Sequence, residues 1–254
     1  MSGTIGSRPT TEIISEGLVF NVDARLRASV LKPLNNPLNV YNTVAESNFG
    51  TGVCSMTGMT SLDNGGNLEF ASINPGPTNN NWVTFNDMST LNLTGTHSSE
   101  FVIYNNNVFG PQWPTIYSRG GQNSGVGYWW VYLGFGGDPD TIYWQYSLSP
   151  PPIIALNGGT VIPRNAYTHV IMSIDYENLE FKIYINGVLN NTQAIAATIR
   201  NVLHDHMYIG TYELTTNSPY GFTGNIPILR FYDRVLNEDE VTHNFTAIKN
   251  YYAL

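Results

Sequence analysis

A run of alternating apolar residues at positions 167–192 constrains the fold of this chain more than any other feature. Val170, Met172 and Ile174 are separated by single residues, and this period of two places one apolar row on one face of a strand. A second row follows an acidic turn and ends at Asn186-Gly187, a dipeptide that suits a tight type I′ turn. The pattern therefore predicts two consecutive hairpins that share one buried face.

Strand patterns of the same kind recur along the chain. We predict strands at residues 18–23, 99–104, 128–135, 141–147 and 207–210. Only residues 237–251 have the signature of a helix, because Asn237 can cap it and Glu240 completes a capping box. The fold class predicted from these patterns is all-β with one C-terminal helix.

The chain divides into an arm and a single domain. Residues 1–15 lack periodicity and form a predicted extended arm, whereas residues 16–254 form one domain with a loop-rich insertion at about 25–66. We expect the arm to lie on a neighbouring subunit and the protein to be a homo-oligomer. The arm residues expected to make the contact are Ile5, Arg8, Pro9, Ile13 and Ile14.

Charge and cysteine content exclude several functions. A net charge of −8 disfavours nucleic acid and anionic membranes, because no basic stripe is available to neutralise phosphates. The single cysteine, Cys54, excludes an internal disulfide framework. Residues 1–15 lack the apolar core of a signal peptide, so we expect synthesis in the cytoplasm.

Three segments together resemble a known family. They are residues 16–24 (EGLVFNVDA), the hairpins that contain Tyr167-Thr-His-Val and Tyr184-Ile-Asn-Gly, and residues 229–241 (LRFYDRVLNEDEV). Their order is similar to that of the laminin-G-like jelly rolls in the concanavalin A-like lectin/glucanase superfamily. The resemblance implies an antiparallel jelly-roll β-sandwich, a fold that hosts both binding proteins and enzymes.

The glucanase branch of this superfamily places three carboxylates on one strand. The matching positions here are Ser173, Asp175 and Glu177, so a serine replaces the nucleophile and both acids fall in a predicted turn. His169 resembles a structural histidine of the family's hairpin. We therefore predict no catalytic residues and no enzymatic activity, with a hydrolase or lyase as the least favoured function.

Metal sites are weakly indicated. The spacing of His204-Asp205-His206 could direct two imidazoles at one ion, but loop histidines are the simpler interpretation. Laminin-G-like domains often hold calcium, and Asp138 and Asp140 form the best acidic pair for it, although such residues are also typical of solvated turns. We predict no metal site and no cofactor, and leave a structural calcium ion as an open alternative.

An aromatic set is the strongest indication of a binding surface. Such side chains stack on sugar rings and anchor protein interfaces, although burial in the sandwich core is the favoured interpretation for any single member. The candidate residues are Trp113, Tyr128, Trp129, Trp130, Tyr143 and Trp144.

The resemblance also suggests a biological setting. Laminin-G-like domains with similar end motifs are appended to structural proteins of phages and giant viruses. We predict a non-enzymatic virion protein, a capsid decoration or fibre subunit of a tailed phage, made in the host cytoplasm. Its partners would be the major capsid protein or neighbouring copies, a trimer being one arrangement. The alternative is a carbohydrate-binding module that adheres to host glycans.

Overall fold

The computed structural model describes most of the predicted domain. The described residues are 13–23, 30–31, 39–40, 55–57, 61–62, 68–70, 82–85, 91, 93, 95–106, 113–120, 128–135, 138–147, 153–196, 206–212 and 220–254. They contain one helix, α1 (Glu238–Tyr252), and the strands β1 (Leu18–Asp23), β2 (Val30–Leu31), β3 (Asn39–Val40), β4 (Ser55–Thr57), β5 (Ser61–Leu62), β6 (Leu68–Phe70), β7 (Trp82–Phe85), β8 (His97–Asn105), β9 (Thr115–Arg119), β10 (Tyr128–Phe135), β11 (Asp138–Ser147), β12 (Ile153–Val161), β13 (Tyr167–Asp175), β14 (Glu180–Ile185), β15 (Val188–Ala194), β16 (Met207–Ile209) and β17 (Gly224–Tyr232).

Two antiparallel sheets form a sandwich. The eight-stranded sheet has the order β15-β14-β13-β8-β17-β6-β5, and β1 adds to it by pairing with β17. The seven-stranded sheet has the order β12-β11-β10-β9-β16-β7-β4, whereas β2 and β3 pair with each other. This architecture confirms the predicted all-β jelly roll with one C-terminal helix.

The core lies between the two sheets because alternate side chains of each strand point inward. Val170, Met172 and Ile174 of β13 belong to it, as the sequence pattern predicts. Facing them from the seven-stranded sheet are aromatic and aliphatic residues of β10 and β11 that are essentially fully buried: Trp129, Val131, Leu133, Ile142, Trp144 and Tyr146.

The central hairpins form as predicted, with one difference. Asn186 and Gly187 both have positive φ, at 50° and 77°, which is the backbone that a type I′ turn requires. Leu179, however, belongs to the preceding turn, with a φ of 57°, so β14 starts one residue later than the apolar row suggests. Its side chain still packs against the core.

The predicted insertion at 25–66 contributes to both sheets. Within it, β4 pairs with β7 and β5 pairs with β6, so this region adds short strands to the edges of the sandwich. The predicted turn before residue 141 is also shorter than expected, because β11 already begins at Asp138. Of the predicted arm, Ile5, Arg8 and Pro9 lie outside the described residues, and the division into arm and domain stays a prediction.

Gly224 shows why the C-terminal motif needs a glycine. Its φ is 137°, and an added Cβ would overlap the backbone carbonyl oxygen of Tyr104 on the neighbouring strand. Gly224 pairs with Asn105 at the start of β17, so the absence of a side chain allows β17 and β8 to approach each other.

Helix α1 starts at the predicted capping box. Asn237 Oδ1 accepts a hydrogen bond from Glu240 N at 3.0 Å, and Asn237 N donates to Glu240 Oε2 at 2.9 Å. Among the described residues, no helix is long and apolar enough to cross a membrane.

The buried stripe of α1 differs partly from the predicted one. Val241 and Ile248 are buried as expected, but Phe245 is half-buried and stacks on His169 at 5.8 Å. The polar residue Asn244 is fully buried instead. The helix therefore covers the outer face of the eight-stranded sheet through contacts that are partly polar.

A buried histidine makes the core sensitive to pH. His97 is 3% exposed, lies near Trp129 and Tyr176, and forms a 2.7 Å hydrogen bond through Nδ1 to the carbonyl oxygen of Gly95. Burial lowers the pKa of His97 from 6.5 to about 4, the Gly95 carbonyl opposes this shift and the cationic Arg119 adds to it. His97 is therefore neutral in the folded protein at neutral pH.

Replacing His97 by glutamine should flatten the acid dependence of stability. In the native protein the unfolded chain binds a proton at His97 below pH 6.5, whereas the folded chain does not until about pH 4. The contribution of His97 to the unfolding free energy is therefore fully present above pH 6.5. It decreases by about 3 kcal/mol as the pH falls to about 4. Urea unfolding measured across this range should show a smaller decrease for His97→Gln.

The exposed His206 provides a matched control. His206→Gln should retain the pH dependence of the native protein. Equal slopes for the native protein and His97→Gln would show that His97 is not the group responsible.

Candidate functional site

The most highly charged cluster of the described residues lies between α1 and the eight-stranded sheet. Glu100 is its centre, and its side chain is 0% exposed. Glu100 Oε1 accepts hydrogen bonds from Arg230 Nη1 and His169 Nε2, both at 3.0 Å. Arg230 also donates from Nη2 to Asp23 at 2.6 Å. We call Asp23, Glu100, His169, Arg230, Tyr232 and Asn244 the charge cluster.

Asn244 joins the charge cluster to the helix and to the start of the domain. Its Nδ2 donates to Glu100 Oε2 at 3.1 Å and to the Tyr232 hydroxyl at 3.0 Å. Its Oδ1 accepts from the backbone N–H of Ile14 at 2.8 Å. Ile14 packs beside this cluster, and Ile13 is half-buried, so both of these arm residues lie on their own domain.

The electrostatics of the cluster are those of a structural ion pair. Burial alone would raise the pKa of Glu100, but Arg230 and the hydrogen bond from His169 outweigh it and lower the pKa from 4.5 to about 2. Burial would likewise lower the pKa of Arg230, and the two carboxylates raise it instead. Both groups stay ionised, and neither reaches the surface, so the cluster cannot act on an external substrate.

The two acids of the glucanase-like segment serve a turn. Asp175 Oδ1 accepts from the backbone N–H groups of Glu177 and Asn178 at 2.9 and 3.0 Å. Burial would raise the pKa of Asp175, but these bonds and the Asn178 side chain lower it. Glu177 is exposed. Asp175 therefore stabilises the β13–β14 turn by hydrogen bonding.

The described candidate ligand Asp140 does not belong to a metal site. Asp140 accepts from Asn105 Nδ2 at 2.9 Å and forms an ion pair with Arg164 at 2.6 Å, so a cation already neutralises it. The described part of the chain contains no group of three His, Cys, Asp or Glu residues able to hold a metal ion, and the calcium alternative does not fit Asp140. The side chain of Asp138, together with His204 and Asp205, lies outside the described residues.

Aromatic side chains collect on the outer face of the seven-stranded sheet. Trp130 and Tyr132 of β10 point there because they alternate with the core residues Trp129 and Val131. Trp130 lies 4.4 Å from the ring centres of both Tyr132 and Tyr212. We call the full set the aromatic cluster: Trp113, Trp130, Tyr132, Tyr143, Tyr212 and Tyr220.

The six aromatic residues expected to form a binding surface lie in different parts of the sandwich. Trp129 and Trp144 lie in the core, 0% and 1% exposed, and cannot stack on an external ligand. Trp130 and Tyr143 belong to the aromatic cluster and are 5% and 7% exposed. Trp113 lies at its edge, whereas the side chain of Tyr128 lies outside the described residues.

Trp113 and Tyr220 form the accessible part of the aromatic cluster. Their rings stack at 5.7 Å with an interplanar angle of 11°, and Trp113 is 37% exposed. Both rings pack nearly perpendicular to the Trp130 ring, with distances of 6.4 and 5.6 Å between ring centres. The Thr115 N–H donates to the Tyr220 carbonyl at 2.8 Å and fixes the two segments together.

Neutral polar groups accompany the rings. The Tyr132 hydroxyl donates to Gln145 Oε1 at 3.0 Å, and Asn157 Nδ2 donates to the Tyr143 hydroxyl at 3.1 Å. The buried Nε1 of Trp130 has no hydrogen-bond partner among the described residues. This N–H is not exposed to solvent, so it adds no donor to the surface of the aromatic cluster.

Three members of the aromatic cluster were not among the predicted residues. The alternation of β10 places Tyr132 on the same face as Trp130, so its membership of the cluster could have been predicted from the sequence. Tyr212 and Tyr220 come from segments about 80 residues further along the chain, and only the pairing of β16 with β9 brings them close.

The described residues thus combine a two-sheet sandwich with a partly exposed aromatic pair on the outer face of one sheet. A family model described as the concanavalin A-like lectin/glucanases superfamily matches residues 77–242. The chain therefore belongs to this superfamily, which confirms the laminin-G-like resemblance. No curated protein sequence matches it.

Solved structures with a similar fold include binding domains of botulinum neurotoxins. The serotype D binding domain aligns with a TM-score of 0.63 and 14% identity, over 91% of this chain and 51% of the toxin chain. Binding domains of neurotoxin DC, in complexes with SialylT and with rat synaptotagmin II, align with TM-scores of 0.64 and 0.67, each at 13% identity over 91% of this chain and 52% of theirs. The chain thus spans about half the length of these domains, and the likeness concerns the fold.

Replacing Arg230 by methionine should destabilise the protein strongly at neutral pH. The change leaves Glu100 and Asp23 buried without their common cation. An uncompensated buried charge of this kind costs about 3–5 kcal/mol of unfolding free energy. Urea unfolding monitored by tryptophan fluorescence measures the loss.

Lys182→Met is the matched control, because both side chains of its ion pair with Glu180 are partly exposed, by 34% and 41%. It should cost no more than about 1 kcal/mol. If both variants lost equally little stability, the charge cluster would not hold the helix against the sheet.

Proposed function

We propose that this protein is a carbohydrate-binding domain whose site is the aromatic cluster. The observation that supports this most directly is the stacked pair of Trp113 and Tyr220, with Trp113 37% exposed. Flat aromatic surfaces bind the apolar faces of sugar rings, and neighbouring hydroxyl and amide groups can bind the sugar hydroxyls.

The polar groups around the pair suit this ligand. Gln145 and Asn157 hold the hydroxyls of Tyr132 and Tyr143, and Asn157 is half-buried on the same face as the aromatic cluster. A sugar that stacks on Trp113 and extends towards Asn157 would use both features. The toxin domains of similar fold include one in complex with SialylT, which is consistent with a glycan partner.

A catalytic role is less well supported. Hydrolysis of a glycosidic bond usually requires two carboxyl groups that flank the substrate. Among the described acids, Glu100 and Asp23 are buried around Arg230, and Asp175 is occupied in a turn. The proposal is therefore binding without turnover.

Trp113→Ala should weaken glycan binding roughly tenfold, which corresponds to the loss of about 1.4 kcal/mol of stacking and contact energy. Binding can be measured by isothermal titration calorimetry with an oligosaccharide selected on a glycan array. The melting temperature should change little because Trp113 lies at the edge of the cluster.

Tyr251→Ala is a matched control for the loss of an exposed aromatic residue. Tyr251 is 53% exposed near the end of α1, on the eight-stranded side of the sandwich. This variant should bind like the native protein. Unchanged affinity in Trp113→Ala would remove the stacked pair from the site.

The virion setting is a separate proposal. Its support is the resemblance of residues 16–24 and 229–241 to laminin-G-like domains of viral structural proteins. Attachment through the arm, to capsid proteins or to other copies of the chain, would involve the residues that precede Ile14, whose N–H binds Asn244. Such a setting is compatible with glycan binding, because Ile14 and the aromatic cluster lie on opposite faces of the sandwich.

A further inference from the structure

The distribution of basic residues along the chain is highly uneven. Between Pro33 and Pro163 the sequence contains seven acidic residues and a single basic one, Arg119. This stretch includes every strand of the seven-stranded sheet except β16, which is uncharged. Arg119 is 0% exposed and donates to the Leu91 carbonyl. The sheet that holds the aromatic cluster thus has no accessible cation among its described residues.

The other described basic residues lie outside the strands of this sheet, although Arg164 is paired with Asp140 of β11. Arg230 belongs to the charge cluster, Arg234 binds Glu240, and Lys182 binds Glu180. Lys249 lies over the Phe245 ring on α1. The remaining ones lie outside the described residues: Arg8, Arg25, Arg27, Lys32 and Arg200.

We infer that the aromatic cluster selects uncharged sugars and rejects acidic ones. This inference rests on the proposed carbohydrate-binding function and adds the class of ligand. The polar groups at the cluster are phenol hydroxyls, the amides of Gln145 and Asn157, and one buried indole N–H, all of them neutral. The half-buried Asn157 can exchange hydrogen bonds with sugar hydroxyls, but none of these groups provides a counter-charge.

An acidic sugar would be disfavoured by two effects. A carboxylate or sulfate that approaches the aromatic rings loses part of its hydration, and no accessible cation of the described sheet compensates for it. In addition, the net charge of −8 repels anions at long range. Uncharged sugars experience neither effect.

A glycan array with matched pairs tests the inference. Each pair has the same oligosaccharide backbone, once uncharged and once sialylated, sulfated or oxidised to a uronate. We expect the native protein to bind uncharged members at least roughly tenfold more strongly. Their affinity should be the same at about 50 mM and about 500 mM salt, because screening affects only charged ligands.

Two variants of equal charge sharpen the test. Asn157→Lys adds a cation beside Tyr143, whereas Thr242→Lys adds one on the exposed surface of α1. Only the first should increase binding of acidic members, by several-fold and in a salt-dependent manner. The second accounts for the change in net charge.

The outcomes are distinct. Stronger binding of acidic members by the native protein, weakened by salt, would overturn the selectivity and leave the carbohydrate-binding function standing. An array with no bound member, for protein whose folding is verified by thermal unfolding, would overturn the binding function and the selectivity with it. Preference for uncharged members that is lost in Trp113→Ala supports both.

Discussion

The buried ion pair between Glu100 and Arg230 is the interaction on which the arrangement of this domain depends. A carboxylate without water is stable only if donors surround it, and here four donors do so, from β13, β17 and α1. The requirement fixes those elements relative to β8, where Glu100 lies. Through Asn244 it also fixes Ile14, 230 residues away in sequence, so the two ends of the domain meet at one polar centre.

This polar centre gives the two outer faces of the sandwich different chemistry. The eight-stranded sheet is covered by a capped helix and holds the paired charges, whereas the seven-stranded sheet presents tyrosine and tryptophan rings with amides. Concentrating the ion pairs on one side leaves the other side neutral. A neutral aromatic face near water is poorly suited to acid–base chemistry but well suited to stacking on a ligand.

Local signals in the sequence were sufficient for the central strands, the Asn186-Gly187 turn and the cap at Asn237, because each depends on neighbouring residues, but not for the short strands within residues 25–66. They could show that Trp129 and Trp130 point to opposite faces, but not which face is the core, since that depends on the partner sheet. The charge cluster was missed for the same reason. Most of its members read as single polar residues within apolar strands, and only the pairing of β1, β8, β13 and β17, with Asn244 of α1, brings them together.

The backbone at Trp113 connects the fold to the proposed function. Its φ of 26° lies in a region that residues with side chains rarely adopt, which costs about 1–3 kcal/mol. Two hydrogen bonds hold the residues that follow it, from Leu133 N to the Pro114 carbonyl and from Thr115 N to the Tyr220 carbonyl. Packing alone would not require a partly exposed tryptophan at such a position. A ligand that stacks on the exposed ring gives a physical reason for retaining it.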